Sequence, residues 1–332
     1  MRPRPGTEQS RSRLVPRRID GTDMSRCLLL LLASFVAIAT MRPAAQSNAL
    51  FAFHSNPWLN LHHFARASAR GGPAPTGLSE EESRQWTAGV EFYKPYAARD
   101  VLRDEGMVDI KSALRGAEVK PSLDGIKIDA GLKATLERLM PIYRKHWWPE
   151  HDRGNRAWIA AVQPLLERHG TALSQALTRT YDTTWPNDPI PVDLSVTAGP
   201  TGAYTTGPPT HVTISSSEPS HQGLASLEML FHEGSHSPVS DLFQRVRQAA
   251  SDQKVSVPPQ LWHGVLFYTA GELTARELKA HGIAYTPYGR QDLYTNLCGA
   301  GCREKIAEYW TPRLDRKQSI ADSLSRLVAS FK

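Results

Sequence analysis

Cysteine is scarce: the 332 residues contain three, at positions 27, 298 and 302. Two neighbouring thiols with no further cysteines do not by themselves make up a four-coordinate thiolate metal site. Long apolar runs are lacking too, since the run Cys27–Thr40 holds fourteen residues, short of the roughly 20 that span a bilayer as a helix. A basic surface is also missing. The formal charge is +6, but residues 1–49 carry eight arginines and three acidic residues and so supply +5 of it. A nearly neutral remainder excludes an argument for nucleic acid or an anionic membrane as partner. No internal repeat and no low-complexity tract follows the leader, which excludes a solenoid.

What is present begins with that leader. Arg26 precedes the apolar run, and small residues allow cleavage after Ala39, Ala45 or Ala49, the pattern of a secretory signal. The expectation is a leader over 1–49 and a secreted or periplasmic protein with no membrane span after cleavage; the alternative is a signal anchor that is never cut. Met24-Ser25-Arg26 makes an ordinary signal start, so initiation at Met24 rather than Met1 is expected, and Arg17-Arg18 lies too far from the run to be a convincing twin-arginine pair. Cys298 and Cys302 are four residues apart, and an oxidising compartment permits a bridge that closes a small loop. The remaining 283 residues can bury one large core or two modest ones.

The chemistry concentrates in His232-Glu233-Gly234-Ser235-His236, which reads H-E-x-x-H. Residues four apart share a helix face, so His232 and His236 can reach one cation while Glu233 points toward its water. Leu224, Leu227 and Phe231 form one apolar stripe, and Ala225, Met229, His232 and His236 fall on another side, so the helix is buried all round. Gly234 weakens the helix unless a neighbour approaches the backbone there. Pro238 disfavours helix at Ser237 and stops it just past the second histidine. The plainer alternative is two satisfied histidines in a core.

Ile190–Ala198 and His211–Ser217 alternate apolar and β-branched residues around a Gly, Pro and Thr-rich turn region and read as strands. From Ile190 onward this order of strands and H-E-x-x-H helix resembles the zincin metallopeptidases. The resemblance implies a zinc ion, a peptide or protein substrate, and a sheet whose edge strand pairs with that substrate. Val239 and Leu242 occupy the places where metzincins carry a glycine and a third histidine, which excludes that subgroup. The gluzincin pattern instead implies a glutamate on a later helix. Trp262–Lys279 reads as that helix, and Glu272, flanked by small and apolar residues, is costly to bury without a cation. Glu272 is therefore the expected third ligand beside His232 and His236, with Glu277 and Asp241 as alternatives. Glu272 can otherwise pair with Arg276 one turn on, and Asp241 can complement a helix dipole.

The chemistry this implies is water activated by zinc, with Glu233 as general base and later as donor to the leaving amine. Tyr285, Tyr288, His263, Tyr268 and His281 are candidate donors to the oxyanion, and Tyr268 alternatively supports Glu272. His62, His63 and His146 lack ligand spacing and read as structural.

Ser79-Glu80-Glu81-Glu82 carries helix-start chemistry after the linker-like stretch 71–77. Helices are expected over 80–103, 129–147, 153–168 and 170–180, and again over 302–310 and 319–331. The expected fold is α+β, mostly helical with a small mixed or antiparallel sheet, divided into a helical region over 50–188 and a zincin-like region over 189–332. Two functions stand open: an exported zinc-dependent hydrolase, in particular a metallopeptidase, or a non-catalytic binding or scaffold protein with a vestigial or structural metal site.

Overall fold

The computed structural model describes residues 49–72, 76–289 and 291–332. The expected signal sequence falls almost wholly outside them. The elements in chain order are β1 (Phe51–His54), α1 (Pro57–Ala69), α2 (Glu80–Ala98), α3 (Glu105–Arg115), α4 (Ala130–His146), α5 (Trp148–Tyr181), β2 (Ile190–Ser195), β3 (Ala203–Thr206), β4 (His211–Ser215), α6 (Leu224–Ser235), α7 (Leu242–Gln253), α8 (Leu261–Ala280), α9 (Gln291–Cys298), α10 (Cys302–Leu314) and α11 (Ile320–Ala329). The fold is α+β, mostly helical with one mixed sheet.

Local chemistry explains several boundaries. Ser79 and Glu82 cap α2 reciprocally: the Glu82 amide donates to the Ser79 hydroxyl and the Ser79 amide to the Glu82 carboxylate. Asp104, Asp129 and Ser319 accept from first-turn amides of α3, α4 and α11. The two helices expected over 153–168 and 170–180 are instead one helix of 34 residues, with Pro149 in its first turn and Pro164 inside it. Trp158, Val162, Leu173 and Leu177 are buried along it, and this continuous apolar face outweighs the proline's local penalty.

The sheet runs β1-β2-β4-β3. β1, β2 and β4 are parallel, and β3 closes the edge antiparallel to β4, with Tyr204 opposite Thr213. Strand alternation gives the sheet two unlike faces. Val192, Leu194, Val212 and Ile214 join a core with Leu227 and Phe231 of α6, Leu173 of α5 and Val265 of α8. A second core lies among α1 to α4 and centres on Trp58, Trp86, Leu136 and Tyr143. Between the two, the other sheet face is polar yet buried.

That polar layer is held by hydrogen bonds to α1 and α3. The Asn60 amide donates to the Leu194 carbonyl at 2.8 Å. Tyr204 Oη and His63 Nε2 are 3.1 Å apart, and His211 contacts Asp193. Lys111 of α3 donates to Thr206 Oγ1 at 3.1 Å and to the His211 carbonyl at 2.7 Å, so its buried ammonium is not orphaned. β1 and α5, although they precede residue 189, belong to the same core as the elements after it.

Among the described residues no helix is long and apolar enough to cross a membrane. Cys298 and Cys302 are joined in a disulfide with their Cα atoms 5.8 Å apart, tying the end of α9 to the start of α10.

Candidate metal centre

α6 enters after Gly223, whose φ of 58° suits a residue without a side chain. It ends at His236, as Pro238 requires. A Cβ at Gly234 would stand 2.9 Å from Phe51 Cε1 and 3.1 Å from Trp185 Cη2. The glycine therefore lets the helix pack against the rings of Phe51 of β1 and Trp185, while Thr205 of β3 meets Glu233.

Three imidazoles converge. His232 and His236 come from α6, and the third is His263, from the first turn of α8. Their ring centroids stand 5.2 Å apart for His232 and His236, 5.1 Å for His232 and His263, and 5.3 Å for His236 and His263. One ligand atom from each lies within 4.8 Å of the others. Aromatic rings set their orientation: His232 stacks on Phe267 with centroids 3.6 Å apart, and His263 stacks on Trp262 at 5.0 Å. Phe267 follows His263 by four residues, so both project from one face of α8.

The donor set fits a divalent cation. Nε2 of His232 and Nε2 of His263 are 3.2 Å apart. Two ligands held about 2.0–2.1 Å from a tetrahedral zinc stand about 3.3 Å from each other. Burial holds the His232 imidazole well below its ordinary pKa, brings His236 down to about 3 and His263 to about 4. All three are therefore neutral near pH 7, the form that binds metal. Nδ1 of His232 is buried with no hydrogen-bond partner, so stacking on Phe267 orients this ring where metal-binding imidazoles ordinarily use a hydrogen bond. The His236 side chain is 22 % exposed, which leaves an approach from solvent.

Glu233 borders the cluster. Its Oε2 lies 4.0 Å from His236 Nε2 and accepts from the Thr205 hydroxyl at 2.6 Å. Burial pushes this carboxyl up to about 7, while the Thr205 hydrogen bond and the charge of Lys111 pull the other way. Thr205 belongs to the edge strand β3, so that edge and the candidate base are directly joined.

Glu272 does not join the histidines. Its Oε1 accepts from Arg276 Nε at 2.8 Å, and Arg276 donates in turn to Asp315 at 2.8 Å. The cause is helical phase: nine residues separate His263 from Glu272, about two and a half turns, which puts the two on opposite faces of α8. Asp241 pairs with Arg245, and Glu277 with His169, so neither alternative is in the cluster. Of the expected oxyanion donors, His263 sits in the histidine cluster instead. Tyr268 Oη bonds Thr311, and His281 lies beside Glu277.

Tyr285 and Tyr288 return to α6 through Glu228, one turn before His232. The Tyr285 hydroxyl donates to Glu228 Oε2 at 2.6 Å and the Tyr288 amide to the same oxygen at 2.9 Å. Burial pushes the Glu228 carboxyl up to about 7. Tyr285 is thereby committed, whereas the Tyr288 ring faces Phe267 at 6.3 Å and His221 at 5.5 Å. His62, His63 and His146 lie outside the cluster and bond Tyr93, Tyr204 and Glu82.

Two cavities border the elements that carry the cluster. One of about 470 Å³ is walled by Ser220, Ala225, Tyr285, Tyr288 and Asn296. The other, about 440 Å³, lies between α7 and α8 and is lined by Phe243, Val246, Val257 and Trp262, so the ring stacked on His263 is also its wall.

His263, Thr205 and Lys111 carry no motif that assigns them these places. The only sequence signal for His263 is a polar residue opening an otherwise apolar helix. Comparison with protein-family models, with curated proteins and with solved structures gave no match to this chain.

Proposed function

We propose that the protein is an exported zinc-dependent hydrolase that cleaves peptide bonds, with His232, His236 and His263 as metal ligands and Glu233 as general base. The observation that carries this reading is the convergence of three neutral imidazoles beside a buried carboxyl. A bound zinc supplies a Lewis acid for the scissile carbonyl and makes water acidic enough to attack near neutral pH.

The chain's own groups do the rest. Glu233 takes a proton as the water oxygen bonds to the carbonyl carbon. It returns that proton to the nitrogen as the C–N bond breaks. A carboxyl held near 7 by burial exchanges protons readily at neutral pH. Thr205 fixes the carboxylate oxygen nearest His236, and β3 is an edge strand of the described sheet, next to β4, the position at which an extended peptide adds to a sheet. The Cys298–Cys302 bridge accords with export to an oxidising compartment.

The test joins metal analysis to turnover. Purified protein should hold zinc, one equivalent of which His232→Ala removes, and should digest a peptide library. Glu233→Gln should keep the metal at the three histidines and lower kcat by about 10²–10⁴-fold. Equal turnover by that variant refutes the base assignment. No turnover of any peptide by metal-loaded parent protein reassigns the centre to a structural role.

A further inference from the structure

A second group of donors lies at the far end of α8. His169 projects from the second half of α5, Glu277 from the last turn of α8, and His281 caps that helix. His169 Nδ1 stands 3.0 Å and His281 Nδ1 3.3 Å from the same oxygen, Glu277 Oε1. The imidazole rings meet almost at right angles with centroids 4.7 Å apart, and the ligand atoms all lie within 4.8 Å of one another.

We infer that His169, Glu277 and His281 form a second transition-metal site, separate from the three-histidine cluster, which ties the middle of the molecule's longest described helix to the end of α8. The spacing supports it: ligands of a tetrahedral zinc stand about 3.3 Å apart at bond lengths of about 2.0–2.1 Å. Burial supports it as well. The His169 side chain is completely buried and its Nδ1 faces the Glu277 carboxylate, so the ring is held in one orientation toward the other two donors. The His281 side chain is 45 % exposed, which gives an ion a way in from solvent.

Two imidazoles and one carboxylate select zinc, cobalt, nickel or copper over magnesium or calcium. In the absence of metal, His281 Nδ1 is also 3.0 Å from the Glu277 carbonyl, a contact that caps the helix end and that coordination would replace. The site's effect is mechanical: it joins α5 to the helix that carries His263, and ion binding to the folded state alone raises stability.

The experiment is titration of chelator-treated full-length protein with Zn²⁺ by calorimetry, and with Co²⁺ by visible absorption, in the parent and in His281→Ala, Glu277→Gln and His232→Ala. The parent should take two equivalents and each variant one, and the double variant His232→Ala, His281→Ala none. Thermal melting adds a second readout, because the second equivalent should raise Tm in the parent but not in His281→Ala, whose side chain is too exposed for its loss to disturb folding. Identical stoichiometry and affinity in the parent and His281→Ala overturns the inference. A single equivalent lost only in His232→Ala overturns this site and leaves the three-histidine centre standing; one lost only in His281→Ala does the reverse.

Discussion

His263 and Glu272 stand on opposite faces of one helix, and that half-turn decides which of them meets the H-E-x-x-H pair. The difference is measurable. His263→Ala should weaken zinc binding by more than about a hundredfold, beyond the loss typical of a supporting residue. Glu272→Ala should bind zinc as the parent does, because its carboxylate serves Arg276. The reverse pattern in a competition assay would restore the glutamate as ligand. The pair His232 and His236 was legible from the sequence because their spacing is local and periodic. His263 was not, since 26 residues intervene between it and His236 and no helical period links two different helices.

At the level of elements, α6 lies on the sheet because Gly234 has no side chain. Alanine there gains up to about 1 kcal/mol of helix propensity, but its Cβ would meet Phe51, which is held edge-on by both Phe231 and Trp185. Overpacking of about 1–3 kcal/mol therefore outweighs the gain, and Gly234→Ala should lower the urea midpoint; a rise would mean that the rings give way freely. β3 supplies a functional counterpart. Thr205→Val keeps the shape but removes the donor that holds the Glu233 carboxyl down, so the acid limb of the pH-activity profile should move to higher pH. An unmoved limb would separate Thr205 from the base. β3 was hidden in the sequence: Ala203-Tyr204-Thr205-Thr206 suits a strand, but Gly199-Pro200 and Gly207-Pro208-Pro209 on either side dominate its turn signals. β2 and β4 were legible by their longer alternation, and the cap at Ser79 by residue type.

Across the whole molecule, buried histidines govern the response to pH. Burial, and then the charge of Arg66, brings His62 down to about 3; burial brings His151 to about 4 and holds His63 well below its ordinary value. In the unfolded chain these imidazoles titrate near about 6.5. Their folded values are lower, so their stabilisation is complete above about pH 6.5 and is lost as pH falls toward 4 and 3, at up to about 1.4 kcal/mol per pH unit for each. Glu228 and Glu233, both raised to about 7 by burial, act oppositely, being least unfavourable below the unfolded value near 4.3 and destabilising as pH rises to 7. His62, His63 and His151, together with the lowered His232, His236 and His263 of the cluster, outnumber them, so chelated protein should lose stability between pH 6.5 and 4.5. A constant or rising urea midpoint over that interval would show that these rings are wetter than their burial implies.

The sequence by itself determined the periodic and the local: the helical character, the H-E-x-x-H face, the stop at Pro238, the close approach at Gly234 and the possible Cys298–Cys302 bridge. These depend on residues within a turn or two of one another, where backbone geometry alone sets the distances. Only the tertiary structure decided that His263 completes the cluster, that Thr205 on an edge strand holds Glu233, and that Glu272 turns away to Arg276. Those outcomes depend on how separate elements are rotated against one another, and that rotation is set by the packing of two apolar cores around a buried polar sheet face.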